Sequence, residues 1–157
     1  MTSYPSIGSS APAFTAPVVG NGHQAGEVLT LSSLKGRTVI LYFYPKDDTP
    51  GCTKQACSLR DGWARISSKA MVFGISIDSA RRHQNFIKKH SLPFPLIVDE
   101  DHRIAEAYGV WVEKTLYGRK YMGTERTTFI IAPDGTLKAV LPKVKPDEHL
   151  EKVLAAL

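Results

Sequence analysis

The sequence predicts an α/β chain, a mixed sheet flanked by helices with an N-terminal β-hairpin extension. Three observations carry this. Thr38–Tyr44 and Met71–Ile77 are near-continuous apolar runs, the kind found in strands buried on both faces. Each is followed by a helix start, Thr49-Pro50 in one case and Asp78-Ser79 in the other. Near the end, Thr127–Ile131, the turn Pro133-Asp134-Gly135 and Thr136–Leu141 read as a hairpin leading into a final helix. Strand, helix, strand, helix, strand, then hairpin and helix, can bury its apolar surface as one sheet between helical layers.

Residues 1–12 carry Pro5, Gly8 and Pro12 among serines and read as an extended arm. Phe14–Val19 and Val28–Leu31 form the expected N-terminal hairpin, separated by Gly20-Asn21-Gly22. Ser32–Gly36 suits a helical turn stopped by glycine. The helix after Thr49 extends to about Ser68, and a second runs over Ala80–His90. Pro93 and Pro95 frame the short strand Leu96–Val98. Glu100–Tyr108 is helical, closed by Gly109 at the position after the last turn. Val110–Met122 has no clear period and reads as a loop or irregular strand. The closing helix over 146–157 places Leu150, Val153, Leu154 and Leu157 on one face.

At 157 residues the chain is the size of one domain, spanning 1–157, with enough length for a real core. The apolar content of 43% and charged content of 22% are those of a soluble globular protein. The net charge of +5 is spread along the chain. Its densest group, Arg81, Arg82, Lys88 and Lys89, fits a solvated helix face better than a nucleic-acid surface. The N-terminus lacks the basic and apolar regions of a signal peptide, and no apolar run reaches membrane-spanning length. A cytoplasmic location is the resulting expectation. The five histidines form no ligand-spaced group, the two cysteines are not a C-x-x-C pair, and no phosphate-binding glycine loop is present. Neither a metal nor a nucleotide cofactor is expected. Trp63 and Trp111 read as core or pocket wall.

The chemistry concentrates in Tyr42–Asp61, which holds both cysteines, Cys52 and Cys57. Thr49 suits an N-cap and Pro50 the first helical position, so Cys52 falls in the first turn among amide N–H groups that lack intrahelical partners. The positive end of the helix favours a thiolate there. Five residues of helix separate two Cα atoms by roughly 8.5–9 Å, beyond the ~7 Å a disulfide tolerates. Cys52 and Cys57 therefore pair only if the first turns unwind, which Gly51 makes less costly.

Pro45-x-x-x-Thr49-x-x-Cys52 resembles the peroxidatic motif of the peroxiredoxins. The run TPGCTKQACSLRD is similar to the bacterioferritin comigratory (PrxQ-type) subfamily, and the resemblance extends over Gly8–Leu157. It implies a thioredoxin-like fold, peroxide substrates, and Cys57 as the thiol that resolves oxidised Cys52. It makes Pro45 the first residue of the motif; read from its place at the end of a strand, Pro45 shields the sulfur from water or is only a turn residue. It assigns the catalytic arginine to Arg126, just before a late strand, and it implies a thioredoxin or glutaredoxin as reductant and a monomer. One departure is Gln55, where many members carry Glu.

Read from the residues alone, the roles are less determined. Thr49 is an N-cap or a hydroxyl that contacts both sulfur and peroxide. Arg126 is a surface arginine or the cation beside the sulfur, with Lys46 and Arg60 as alternatives. Glu125 steadies Arg126 or is merely exposed. Asp47, Asp48 and Asp61 oppose the needed field unless they point away. A general thiol–disulfide oxidoreductase and a non-enzymatic redox sensor on the same fold are the competing functions.

Overall fold

The computed structural model describes residues 3–157, so the first two residues of the expected N-terminal arm lie outside the described residues. Strands β1 (Thr15–Val19) and β2 (Val28–Thr30) form the expected hairpin, with Thr15 opposite Thr30. A 3-10 turn at Leu31–Leu34 leads into β3 (Val39–Phe43), α1 (Pro50–Asp61) and α2 (Trp63–Ile66). Next come β4 (Met71–Ser76), α3 (Ala80–His90), β5 (Leu96–Val98) and α4 (Arg103–Ala107). The chain closes with β6 (Trp111–Leu116), β7 (Arg119–Thr124), β8 (Thr127–Ile131), β9 (Leu137–Leu141) and α5 (His149–Ala156).

A seven-stranded sheet has the order β2-β1-β5-β4-β3-β8-β9. Its centre, β5-β4-β3, is parallel, and β8 pairs antiparallel with β3. Residues of β3 alternate between two cores, as a pleated strand requires. Leu41 and Phe43 join Phe73, Ile75, Tyr108 and Phe129 on one face, with Ile104 of α4. Ile40 and Tyr42 join Leu59, Phe86, Phe94 and Val153 on the other, where α1, α3 and α5 pack. Both faces of β3 are buried, which accounts for its unbroken apolar sequence.

Three expectations are corrected. Residues 110–122 are not a loop: β6 and β7 pair as a separate two-stranded hairpin, with Leu116 opposite Arg119. Its two-residue turn, Tyr117-Gly118, has positive φ at both positions (51° and 77°), as a type I′ turn demands. The first long helix breaks at Gly62, where a Cβ would lie 2.6 Å from a Leu150 methyl; α5 packs there against backbone. The helix expected from Glu100 starts at Arg103, because His102 is left-handed and the Asp99 carboxylate takes the amides of Ile104 and Ala105 at 3.0 and 2.9 Å.

Candidate active site

The C-terminal end of β3, at the middle of the sheet, delivers the chain into the loop 44–49 and then α1, so the loop sits where open α/β sheets place their chemistry. Thr49 occupies the N-cap position in extended conformation, Pro50 begins the helix, and Thr53 N–H donates to the Thr49 carbonyl at 2.8 Å. The Thr49 hydroxyl does not cap. It donates instead to the Lys46 carbonyl at 2.9 Å, and its side chain takes none of the first-turn amides. Cys52 lies in that first turn and is 2% exposed. Cys57, further along the same continuous helix, is half-buried, and both thiols are free. Pro45, where the chain leaves the sheet, is half-buried.

Arg126 immediately precedes β8. Because Thr127 pairs with Phe43 at the end of β3, the guanidinium comes down onto the start of α1. One nitrogen, Nη2, donates to Cys52 Sγ at 3.4 Å; the other, Nη1, donates to Gln55 Oε1 at 2.6 Å. Gly51 makes the approach possible, since a Cβ there would sit 3.1 Å from Nη2. Gln55, one turn beyond Cys52, is fully buried. Its orientation is fixed by chemistry: a guanidinium only donates, so the amide must present its oxygen. The cost is that Gln55 Nε2 has no protein partner.

Glu125 neither pairs with Arg126 nor lies exposed. It is buried, and its carboxylate accepts from the hydroxyls of Tyr4 and Thr127. Lys46 is exposed, and Arg60 is held by Asp61 and the His90 carbonyl, so Arg126 is the cation on the sulfur among the described residues. Asp48 turns away to Lys89 and His90.

Three residues of this cluster have no signature in the sequence. His149, at the start of α5, is fully buried, with Nε2 on the Thr128 hydroxyl at 2.7 Å and Nδ1 without a protein partner. Burial, helped by the charge of Arg126, pushes its pKa down to about 3, so the ring is neutral. Its ring packs 5.5 Å from that of Tyr42, whose buried hydroxyl also lacks a protein partner. Lys114 of β6 donates to the Thr124 carbonyl; burial first, then Arg126, hold its ammonium below the usual range. The residue types were visible, but nothing local in the sequence distinguishes a histidine that meets a strand twenty-one positions away.

On the other side of the loop, Asp47 is buried rather than opposing the site. Its carboxylate accepts from Tyr44 Oη at 2.5 Å and faces His83 Nδ1 at 2.6 Å, while His83 Nε2 meets the Ile97 carbonyl at 2.9 Å. The Ile97 carbonyl can only accept, so Nε2 donates there, while Nδ1 faces the Asp47 carboxylate. Asp78 takes the Asp47 amide, the Ser76 hydroxyl and Arg82 Nε. Asp47, Asp78 and His83 lie within 4.8 Å of one another, yet their atoms are already engaged in this network, which does not read as a metal site. Among the described residues no helix is long and apolar enough to cross a membrane.

A reduced thiol at the head of a helix, under a guanidinium and at the end of a central strand, places the chain among proteins that do redox chemistry through cysteine. The comparisons narrow this class. Residues 7–140 match the AhpC/TSA family. The chain is 51% identical over 152 residues to a putative peroxiredoxin bcp of Coxiella burnetii, covering 96% of this chain and 97% of that one. It is 40% identical over 148 residues to peroxiredoxin Bcp of Escherichia coli, covering 94% and 92%. A solved bacterioferritin comigratory protein of Xanthomonas campestris, titled for its alkyl peroxide reduction activity, superposes with a TM-score of 0.84 at 35% identity, covering 91% and 87%. The chain belongs to the AhpC/TSA family, and within it to the bacterioferritin comigratory (PrxQ-type) peroxiredoxins, with the thioredoxin-like fold that the motif implied.

Proposed function

We propose that this peroxiredoxin is a thiol peroxidase acting on hydrogen peroxide and small alkyl hydroperoxides through Cys52. The observation that carries the reading is the Arg126 guanidinium on Cys52 Sγ, which holds negative charge on sulfur and is positioned to orient a peroxide oxygen. The sulfur attacks one peroxide oxygen, the S–O bond forms as the O–O bond breaks, and the other oxygen leaves as water or alcohol after taking a proton. The Thr49 hydroxyl, already donating to a carbonyl, keeps its lone pairs for a peroxide O–H. The first-turn amides that Thr49 leaves uncapped provide a further donor at Cys52. Pro45 shields the sulfur from water.

Cys57 then attacks the sulfenic acid, releasing water and forming an intramolecular disulfide. Both cysteines sit on one helix, so this step requires α1 to unwind locally. A dithiol donor of the thioredoxin or glutaredoxin class returns both sulfurs to thiols by exchange. The chain acts as a single cytoplasmic domain over 1–157 and as a monomer, without cofactor.

Mass spectrometry after one equivalent of hydrogen peroxide tests this. Wild type should lose two hydrogens, Cys57→Ser should gain one oxygen on Cys52 and stall after one turnover, and Cys52→Ser should be inert. Multiple turnovers by Cys52→Ser would refute the assignment. Reshuffling of a scrambled protein without peroxide would favour a general thiol–disulfide oxidoreductase instead.

A further inference from the structure

The partners of Arg126 are chemically unequal. Its guanidinium bonds a sulfur and an amide carbonyl, and among the described residues no carboxylate forms an ion pair with it. The nearest acid in sequence, Glu125, is turned into the opposite contact with Tyr4 and Thr127. A carboxylate at position 55 would satisfy the same guanidinium without leaving an orphan donor. The amide leaves Nε2 buried and without a protein partner, so it is the poorer local solution to hydrogen bonding. What the amide does offer is neutrality.

We propose that Gln55 is a positioning residue that sets the charge at Cys52: it fixes Arg126 beside the sulfur through a neutral carbonyl, so the guanidinium charge is left to act on the sulfur. The inference rests on Cys52 being the reacting thiol. Two other side chains register the same uncompensated charge. The Lys114 ammonium, half-buried on β6, is disfavoured by burial and then by Arg126, and the buried His149 ring is held neutral by burial and then by Arg126. A carboxylate hydrogen-bonded to Arg126 would have offset that field at all three groups. Gln55 thus acts on the sulfur through Arg126, without touching the peroxide.

The test is the titration of the Cys52 thiolate in full-length protein carrying Cys57→Ser, followed by ultraviolet thiolate absorbance. Gln55→Glu should raise the midpoint by about 1 unit, because the new carboxylate neutralises the guanidinium. Gln55→Met, uncharged and similar in volume, should stay within about half a unit of wild type, since the charge remains even though its grip is lost. It should also slow peroxide turnover about tenfold, the smaller effect expected of a misplaced stabilising group. An unchanged midpoint in Gln55→Glu, or equal shifts in both variants, would overturn the inference. Should alkylation mass spectrometry place the reactive thiol elsewhere than Cys52, the proposed function fails instead, and the two failures are thereby distinguished.

Discussion

Two buried polar clusters flank the loop that joins β3 to α1, and they are built on opposite terms. In the cluster of Asp47, Asp78 and His83, each carboxylate and both ring nitrogens have partners drawn from the loop, β4, α3 and β5. In the cluster of Cys52, Gln55, Arg126, Tyr42 and His149, three buried polar atoms lack a protein partner: Tyr42 Oη, Gln55 Nε2 and His149 Nδ1. Each orphan costs about 1–3 kcal/mol. Such a cost is expected where reaction geometry demands it, which fits the first cluster as scaffold and the second as the proposed reaction site. The scaffold fixes the loop from one side, and the unpartnered atoms belong to the cluster that holds Cys52 and Arg126.

Breaking the scaffold should cost most. Asp47→Ala leaves His83 Nδ1 facing no acceptor in the interior, and loss of one partner of a buried pair costs about 3–5 kcal/mol. Urea unfolding should show the loss, with turnover per folded molecule falling less than stability does. Arg126→Met should do the reverse, lowering kcat/KM about 10²–10³-fold with a smaller loss of stability, about 1–3 kcal/mol for the Gln55 carbonyl left unpaired. If Arg126→Met destabilised as much as Asp47→Ala, the division of labour would be wrong.

A third comparison uses pH. The folded pKa of His149, about 3, lies below its ordinary 6.5, so the unfolded chain takes up the proton first. The stability tied to its neutral form is complete above about 6.5 and declines as pH falls towards about 3, by about 1.4 kcal/mol per pH unit. Replacing it with Gln should flatten that slope in unfolding measured across the window; an unchanged slope would remove His149 from the account. The smallest effect belongs to the surface. Arg65 and Glu151 form an exposed pair at 2.9 Å, and Glu151→Gln should leave both the melting temperature and turnover unaltered.

The sheet was legible because its central strands must be apolar on both faces and its helices begin with Thr-Pro and Asp-Ser. Even so, Ser79 caps α3 by accepting the Arg82 amide, while Asp78 serves the scaffold instead. The β6–β7 hairpin was not legible. Its residues are exposed on both faces at the tip, including Leu116 and Tyr117, so no alternation survives, and a Tyr-Gly turn is a weaker signal than Asn-Gly. For the proposed site, Cys52, Cys57 and Thr49 could be named from the motif and its helix, and Arg126 from the family's arginine before a late strand. Asp47 could not be separated from Asp48, because its partner His83 lies thirty-six positions away and reaches it only through packing. His149 and Lys114 were hidden for the same reason.

The absent side chain at Gly62 lets α5 close directly onto the end of α1. A methyl there would strike Leu150, so the C-terminal end of the helix is seated directly against α5, while at its other end Gly51 meets Arg126 and Pro146. The unwinding proposed to bring the two sulfurs together would start at the Cys52 end and halt at the end seated on α5. In the proposed cycle, oxidation would then rearrange the first turns of α1 and spare the sheet beneath, so that one chain could pass between two shapes without refolding.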